Sequence, residues 1–109
     1  MLAELFGSQT TEKSLLLIAA IGESYALEIA NTFKISKTQV ARTLTKLEQS
    51  DILQGQDKGR TRIYSLNKSW ILSKELNTLL QKALSAVPLD QQEKYFMKRM
   101  KPRKKNKAL

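Results

Sequence analysis

The narrowest constraint on how this chain folds is the pair Lys34-Ile35, because a helical pattern ends just before it and another starts just after it. Two residues are too few to separate the helices, so the chain must turn sharply and pack one against the other. The start signal is Ser36-Lys37-Thr38-Gln39, a capping box in which Ser36 accepts from an early backbone N–H and Gln39 reaches back. Val40, Leu44 and Leu47 follow at i, i+4 and i+7, so this second helix buries that stripe and is predicted to run to about Ser50. Before the break, Ser24 is expected to cap a short helix with Leu27, Ala30 and Phe33 on one face and Ile29 at its edge.

Upstream, Leu2, Leu5 and Phe6 open an apolar pattern that Gly7-Ser8 interrupts. Ser8 or Thr10 can cap a helix to about Ile21, and Leu15, Leu16, Ile18, Ala19 and Ile21 make it apolar nearly all round. Such a helix is buried at the centre of a domain, and Gly22 ends it. Downstream, Ile52-Leu53 opens a short strand, Asp57-Lys58-Gly59 has turn chemistry, and residues 61–66 form the returning strand. The adjacent Ile63 and Tyr64 break the alternation and leave open which face of this hairpin meets the core. A longer helix from about Ser69 carries Leu72, Leu76, Leu79, Leu80, Ala83, Leu84 and Val87, a stripe wider than one core contact needs, and Pro88 stops it. Asp90-Gln91-Gln92-Glu93 resembles a second capping box, opening a short helix with Phe96 and Met100 one turn apart. Pro102 ends it, and the following Arg-Lys-Lys-Asn-Lys run is expected to be disordered.

Helix, short helix, tight break, helix, two-stranded hairpin is the order of a winged helix-turn-helix. The predicted class is therefore mainly α with a small β-hairpin. Residues 1–87 form that domain and supply a C-terminal dimerisation helix, and residues 88–109 form a short helix and basic tail. At 109 residues there is room for one such domain and not two.

Charge sharpens the expectation. The chain has 19 Lys and Arg against 10 Asp and Glu, a net charge of +9. Lys34, Lys37, Arg42, Lys46, Lys58, Arg60 and Arg62 fall within residues 34–62 against three acids, Glu48, Asp51 and Asp57, and a second basic zone lies beyond residue 88. Compact basic surfaces of this kind fit a polyanion, since binding releases condensed counterions. Cysteine and histidine are both absent, which excludes disulfide frameworks, Cys/His zinc sites, thiol nucleophiles and imidazole bases. The stretch from Gly55 to Arg60 lacks the spacing and Lys-Ser/Thr of a phosphate loop, so no enzyme, cofactor or metal site is expected. No signal-peptide pattern opens the chain, and the longest apolar run, residues 15–21, is too short for a bilayer, so a cytoplasmic protein without membrane contact is expected.

Turning Val40, Leu44 and Leu47 inward sends Thr38, Arg42, Thr45 and Gln49 outward, flanked by Gln39 and Lys46. These side chains suit a reader of the major groove: Arg pairs with guanine, Gln with adenine, and Thr touches a thymine methyl or a phosphate. Ser36, Lys37 and the free N–H groups of the helix start suit a phosphate. At the hairpin, Lys58, Gly59, Arg60 and Arg62 are placed for the backbone or the adjacent minor groove.

Several landmarks resemble the ArsR-like winged-helix transcriptional regulators: Leu5 to Ser8, Ile35 to Leu44, Lys46-Leu47-Glu48, and Gly59 to Asn67. The resemblance covers roughly residues 2–87 and implies a homodimeric repressor bound to double-stranded DNA. By its implication Ser36, Thr38, Gln39 and Arg42 fall on contact positions, Lys58, Gly59 and Arg60 on the wing tip, and the last long helix helps to dimerise. Leu72, Leu76, Leu79, Leu80 and Leu84 are the expected dimer interface. Two departures stand out. Metal-sensing members use Cys, His and carboxylates, and this chain has no Cys or His. The break, often Gly, is Lys34, which costs about 1–2 kcal/mol if it takes a positive φ. Two rival readings remain: a winged-helix adaptor or antitoxin-type partner binding another protein through the leucine stripe, and an RNA-binding protein using the tail.

Overall fold

A computed structural model describes residues 1–96. Its axis is helix α2 (Gln9–Ile21), which Ser8 starts by accepting the Thr11 N–H at 3.1 Å. Leu15, Leu16, Leu17 and Ile18 are all buried, and helices, hairpin and C-terminal segment all pack on α2. The flanking elements are α1 (Ala3–Phe6), α3 (Ala26–Phe33), α4 (Lys37–Gln49), β1 (Leu53–Lys58), β2 (Thr61–Leu66) and α5 (Ser73–Ser85). A last short helix, α6 (Leu89–Gln91), widens into a π-type turn over Gln92–Phe96. Ile29, Val40, Leu44, Leu53 and Leu80 join α2 in the core at 1% exposure or less. Each such side chain contributes about 1.5–3 kcal/mol by leaving water.

The architecture is mainly helical with one antiparallel hairpin, as the sequence predicts. Several local details differ. Ser24 does not cap α3: its backbone exchanges two hydrogen bonds with Tyr64, at 3.0 and 2.8 Å, making a third, single-residue rung on the hairpin. Its hydroxyl donates to Glu28 at 2.6 Å, and Tyr25 stands at the cap position without a side-chain bond. Ile29, expected at an edge, is the fully buried centre of α3, whereas Leu27 is exposed. This rotation follows from the Ser24 rung, which sets where α3 begins.

The hairpin pairs Leu53 with Leu66, Gly55 with Tyr64, Asp57 with Arg62 and Lys58 with Thr61. Its loop is therefore Gly59-Arg60: of the turn signal Asp57-Lys58-Gly59 only Gly59 lies in the loop, and Asp57 and Lys58 are the last residues of β1. Gly59 has φ 63 at the first loop position, which a type II′ turn gives to glycine. Tyr64 is buried and Ile63 only half-buried, so the even-numbered face of β2 meets the core.

Helix α5 starts at Ser73 rather than Ser69, because residues 67–72 make a turn in which Trp70 N–H donates to Asn67 and Ser73 N–H to Trp70. Pro88 caps α6, so Asp90 lies inside that turn instead of starting a capping box. Residues 88–96, grouped with the tail on sequence, fold back on the domain. Tyr95 stacks on Phe33 with centroids 5.4 Å apart, and Phe96 is buried. The expectations for Met100, Pro102 and the basic run beyond lie outside the described residues.

Candidate nucleic-acid interface

Helix α4 is set by the turn before it. Lys34 adopts φ 57, ψ 52, the left-handed conformation, and the Ile35 N–H donates to Ala30 O at 3.0 Å to close the end of α3. The chain then re-enters a helix at Ser36, whose Oγ accepts the Gln39 N–H at 3.2 Å. Only half of the expected capping box is made. The Gln39 side chain is exposed and makes no hydrogen bond among the described residues, so it stays available to a ligand.

Val40 and Leu44 are fully buried and Leu47 packs beside them. The opposite face presents Thr38, Gln39, Arg42, Thr45, Lys46 and Gln49, all exposed. The Thr45 hydroxyl donates to Ala41 O at 2.9 Å, which turns its methyl group outward as the contact it can offer. Arg42 and Lys46 have no acidic partner among the described residues. Ser36 and Lys37 lie at the helix start, where the first N–H groups have no intrahelical acceptor.

The wing stands beside this face. A cleft of about 280 Å³ separates them, lined by Lys37, Ala41 and Thr45 on α4 and by Arg60, Thr61 and Arg62 on the hairpin. Gly59 and Arg60 form the tip, and Arg60 is exposed with no acidic partner among the described residues. Lys58 is held 3.7 Å from Glu23. Arg62 is turned away from the tip: its Nε donates to Glu48 at 3.2 Å, its Nη2 to the other oxygen of Glu48, and its Nη1 to Asp57 at 2.8 Å. The hydrogen bonds to Glu48 first, then Asp57, hold the guanidinium protonated still more firmly than usual. Glu48 and Gly55, which shape this fork, were not legible as functional residues, since nothing in their spacing from Arg62 marks a contact.

The expected dimer stripe divides in two. Leu80 is fully buried in the protomer's own core, and Leu76 and Leu84 lean on that core. Leu72 and Leu79 are exposed, and beside them so is Ile71, at 86%. Burial follows the side of α5 that packs on α2. Leu80, counted on sequence as interface, is therefore corrected to a core residue. Among the described residues no helix is long and apolar enough to cross a membrane, and no cluster of three His, Cys, Asp or Glu side chains could hold a metal.

No protein-family model matches the chain, and no curated protein matches it. Solved structures do. An apo mutant of ZitR from Lactococcus lactis aligns at 25% identity and TM-score 0.53, over 78% of this chain and 73% of that one. A ZitR mutant in complex with DNA aligns at 25% identity and TM-score 0.52, over 79% and 66%, and ZitR is described as a zinc-responsive MarR family member. YusO from Bacillus subtilis aligns at 18% identity and TM-score 0.57, over 81% of this chain and 69% of that one. The adhesin competence repressor AdcR from Streptococcus pyogenes aligns at 17% and 0.55, over 98% and 82%. The family stated among these neighbours is MarR, and the ArsR-like landmarks find no specific support in them. What the landmarks and the neighbours share is the architecture: the chain has the fold of the winged helix-turn-helix regulators.

Proposed function

We propose that this protein is a sequence-specific DNA-binding transcriptional regulator, a repressor that acts as a homodimer. The observation that carries the reading is the outward face of α4, where Thr38, Gln39, Arg42, Thr45 and Lys46 stand exposed and free of acidic partners beside Arg60 of the wing. The neighbour solved on DNA supports it. In this reading α4 lies in the major groove with Arg42 and Gln39 at base edges, and Ser36 and Lys37 hold a phosphate at the helix start. Lys58, Gly59 and Arg60 meet the backbone or the adjacent minor groove. Leu72 and Leu79, continued by Leu76 and Leu84 at their edges, face a second copy, and the ArsR-like resemblance points the same way. The zinc response of ZitR is not carried over, because the chain has neither Cys nor His to bind the ion.

Selection of duplexes from a random pool, followed by anisotropy titrations of the winner and a scrambled duplex, tests this reading. A preference of at least about a thousandfold is expected of a specific regulator. Equal affinity for both duplexes, or tighter binding to single-stranded RNA, would overturn it.

A further inference from the structure

The wing carries three cations, and one of them, Arg62, lines the cleft beside α4 with its guanidinium already taken up by two carboxylates. Side chains alternate along a strand, so Arg62 shares a face with Tyr64, whose ring is buried in the core. That parity sets Arg62 on the α4 side of the hairpin, where its side chain, 40% exposed, reaches the last turn of α4. There its planar fork meets both oxygens of Glu48 and, from the paired position on β1, Asp57. The crossing passes over Gly55: a Cβ at that position would fall 2.6 Å from Arg62 Nε and 2.9 Å from its Cζ, so the guanidinium would have to shift. One guanidinium thus joins the end of the reading helix to the hairpin through two carboxylates and over a glycine.

We propose that Arg62 is the positioning residue of the wing rather than a DNA contact: by clipping β1 and β2 to Glu48 it fixes the angle between wing and α4, so that Arg60 and Arg42 reach one duplex together. The inference rests on the DNA-reading function proposed above. Charge alone argues the opposite for Glu48. A carboxylate on a phosphate-facing helix repels DNA, so its neutralisation should tighten binding. A clip reverses that sign, since Glu48→Gln removes the one carboxylate of α4 that holds Arg62.

The test compares Glu48→Gln, Arg62→Ala and Gly55→Ala in the full chain, on the selected duplex over a range of salt. Gly55→Ala changes no charge and displaces the guanidinium by its methyl group alone. All three variants should bind about threefold to tenfold more weakly than wild type, the scale of a partly exposed bidentate pair. Their salt slopes should agree with one another. Combining Glu48→Gln with Arg62→Ala should add nothing to Arg62→Ala, which already removes the link to Glu48. Unchanged or tighter binding by Glu48→Gln overturns the clip, as does wild-type binding by Gly55→Ala. So does a slope lowered in Arg62→Ala alone, which would mark Arg62 as a phosphate contact. Amide hydrogen exchange of residues 53–66 in the free protein separates this idea from the reading it rests on. Exchange should quicken about twofold to tenfold in Glu48→Gln, and unchanged exchange overturns the clip. Quickened exchange in a protein whose wild type prefers no duplex removes the DNA reading and leaves the clip standing.

Discussion

Lys34 holds a left-handed backbone that costs a side-chain-bearing residue about 1–2 kcal/mol. The conformation goes with the sharp turn that closes α3 at Ala30 and leads into α4, which packs on α2. Glycine occupies this region freely, at the cost of more entropy in the unfolded chain. Lys34→Gly is therefore expected to stabilise the protein by about 0.5–1 kcal/mol, seen as a melting temperature higher by a few degrees. A lower melting temperature would show that the Lys34 side chain contributes more than its backbone costs. Arg42 and Arg60 are both exposed and cationic, yet their expected roles differ. Arg42→Ala should cost about 1–3 kcal/mol on the preferred duplex and relax selection at one base position, as loss of a base contact does. Arg60→Ala should weaken preferred and scrambled duplexes nearly alike. If Arg42→Ala leaves the ratio of the two affinities untouched, α4 does not read bases through it.

At the scale of elements, α5 has one buried face and one exposed apolar face. Leu80 and Ala83 close the core over α2, whereas Leu72 and Leu79 stay in water together with Ile71. Leu80→Ala should destabilise the protomer by about 2–5 kcal/mol, a change for chemical denaturation to measure. Substituting Leu72→Glu and Leu79→Glu together should leave that stability within about 0.5 kcal/mol of wild type while shifting the protein toward monomer. Sedimentation at micromolar concentration reads the difference, and a wild type already monomeric there removes the dimer from the proposal. Charge at Leu80 would be no test of association, since it would sit in the core.

For the whole molecule, charge beyond the described residues bears on affinity. Lys101, Arg103, Lys104, Lys105 and Lys107 come within seven positions with no acid among them. Each phosphate neutralised contributes a slope of about −0.9 to log K against log salt. Truncation after residue 100 should make the slope shallower by a few units per dimer and weaken both duplexes together. Equal slopes with and without the segment would retire it as a phosphate contact. With two copies joined through α5, preferred half-sites should lie about 10–10.5 base pairs apart.

Local signals carried most of the architecture. Ser8, Ser36, Gly22 and the apolar spacing on α2 and α4 act within one or two turns, so the sequence alone determines those helices and the outward face of α4. It also locates the tight break at Lys34-Ile35, while the left-handed conformation of Lys34 is known only from the structure. What the sequence leaves open depends on contacts far along the chain. Ile63 and Tyr64 are equally suited to the core, and the choice between them is made by how β2 packs on α2 and pairs with β1 and Ser24. That choice carries Arg62 with it: one residue of slip would turn it outward as a wing contact, and the observed register sends it to Glu48, fourteen positions away. Leu79 and Leu80 are likewise neighbours of one type, and the side on which α2 lies decides which is core and which is surface. Helix caps and stripes are local free energies that a short segment settles alone, whereas register and facing are settled by which distant surfaces exclude water together.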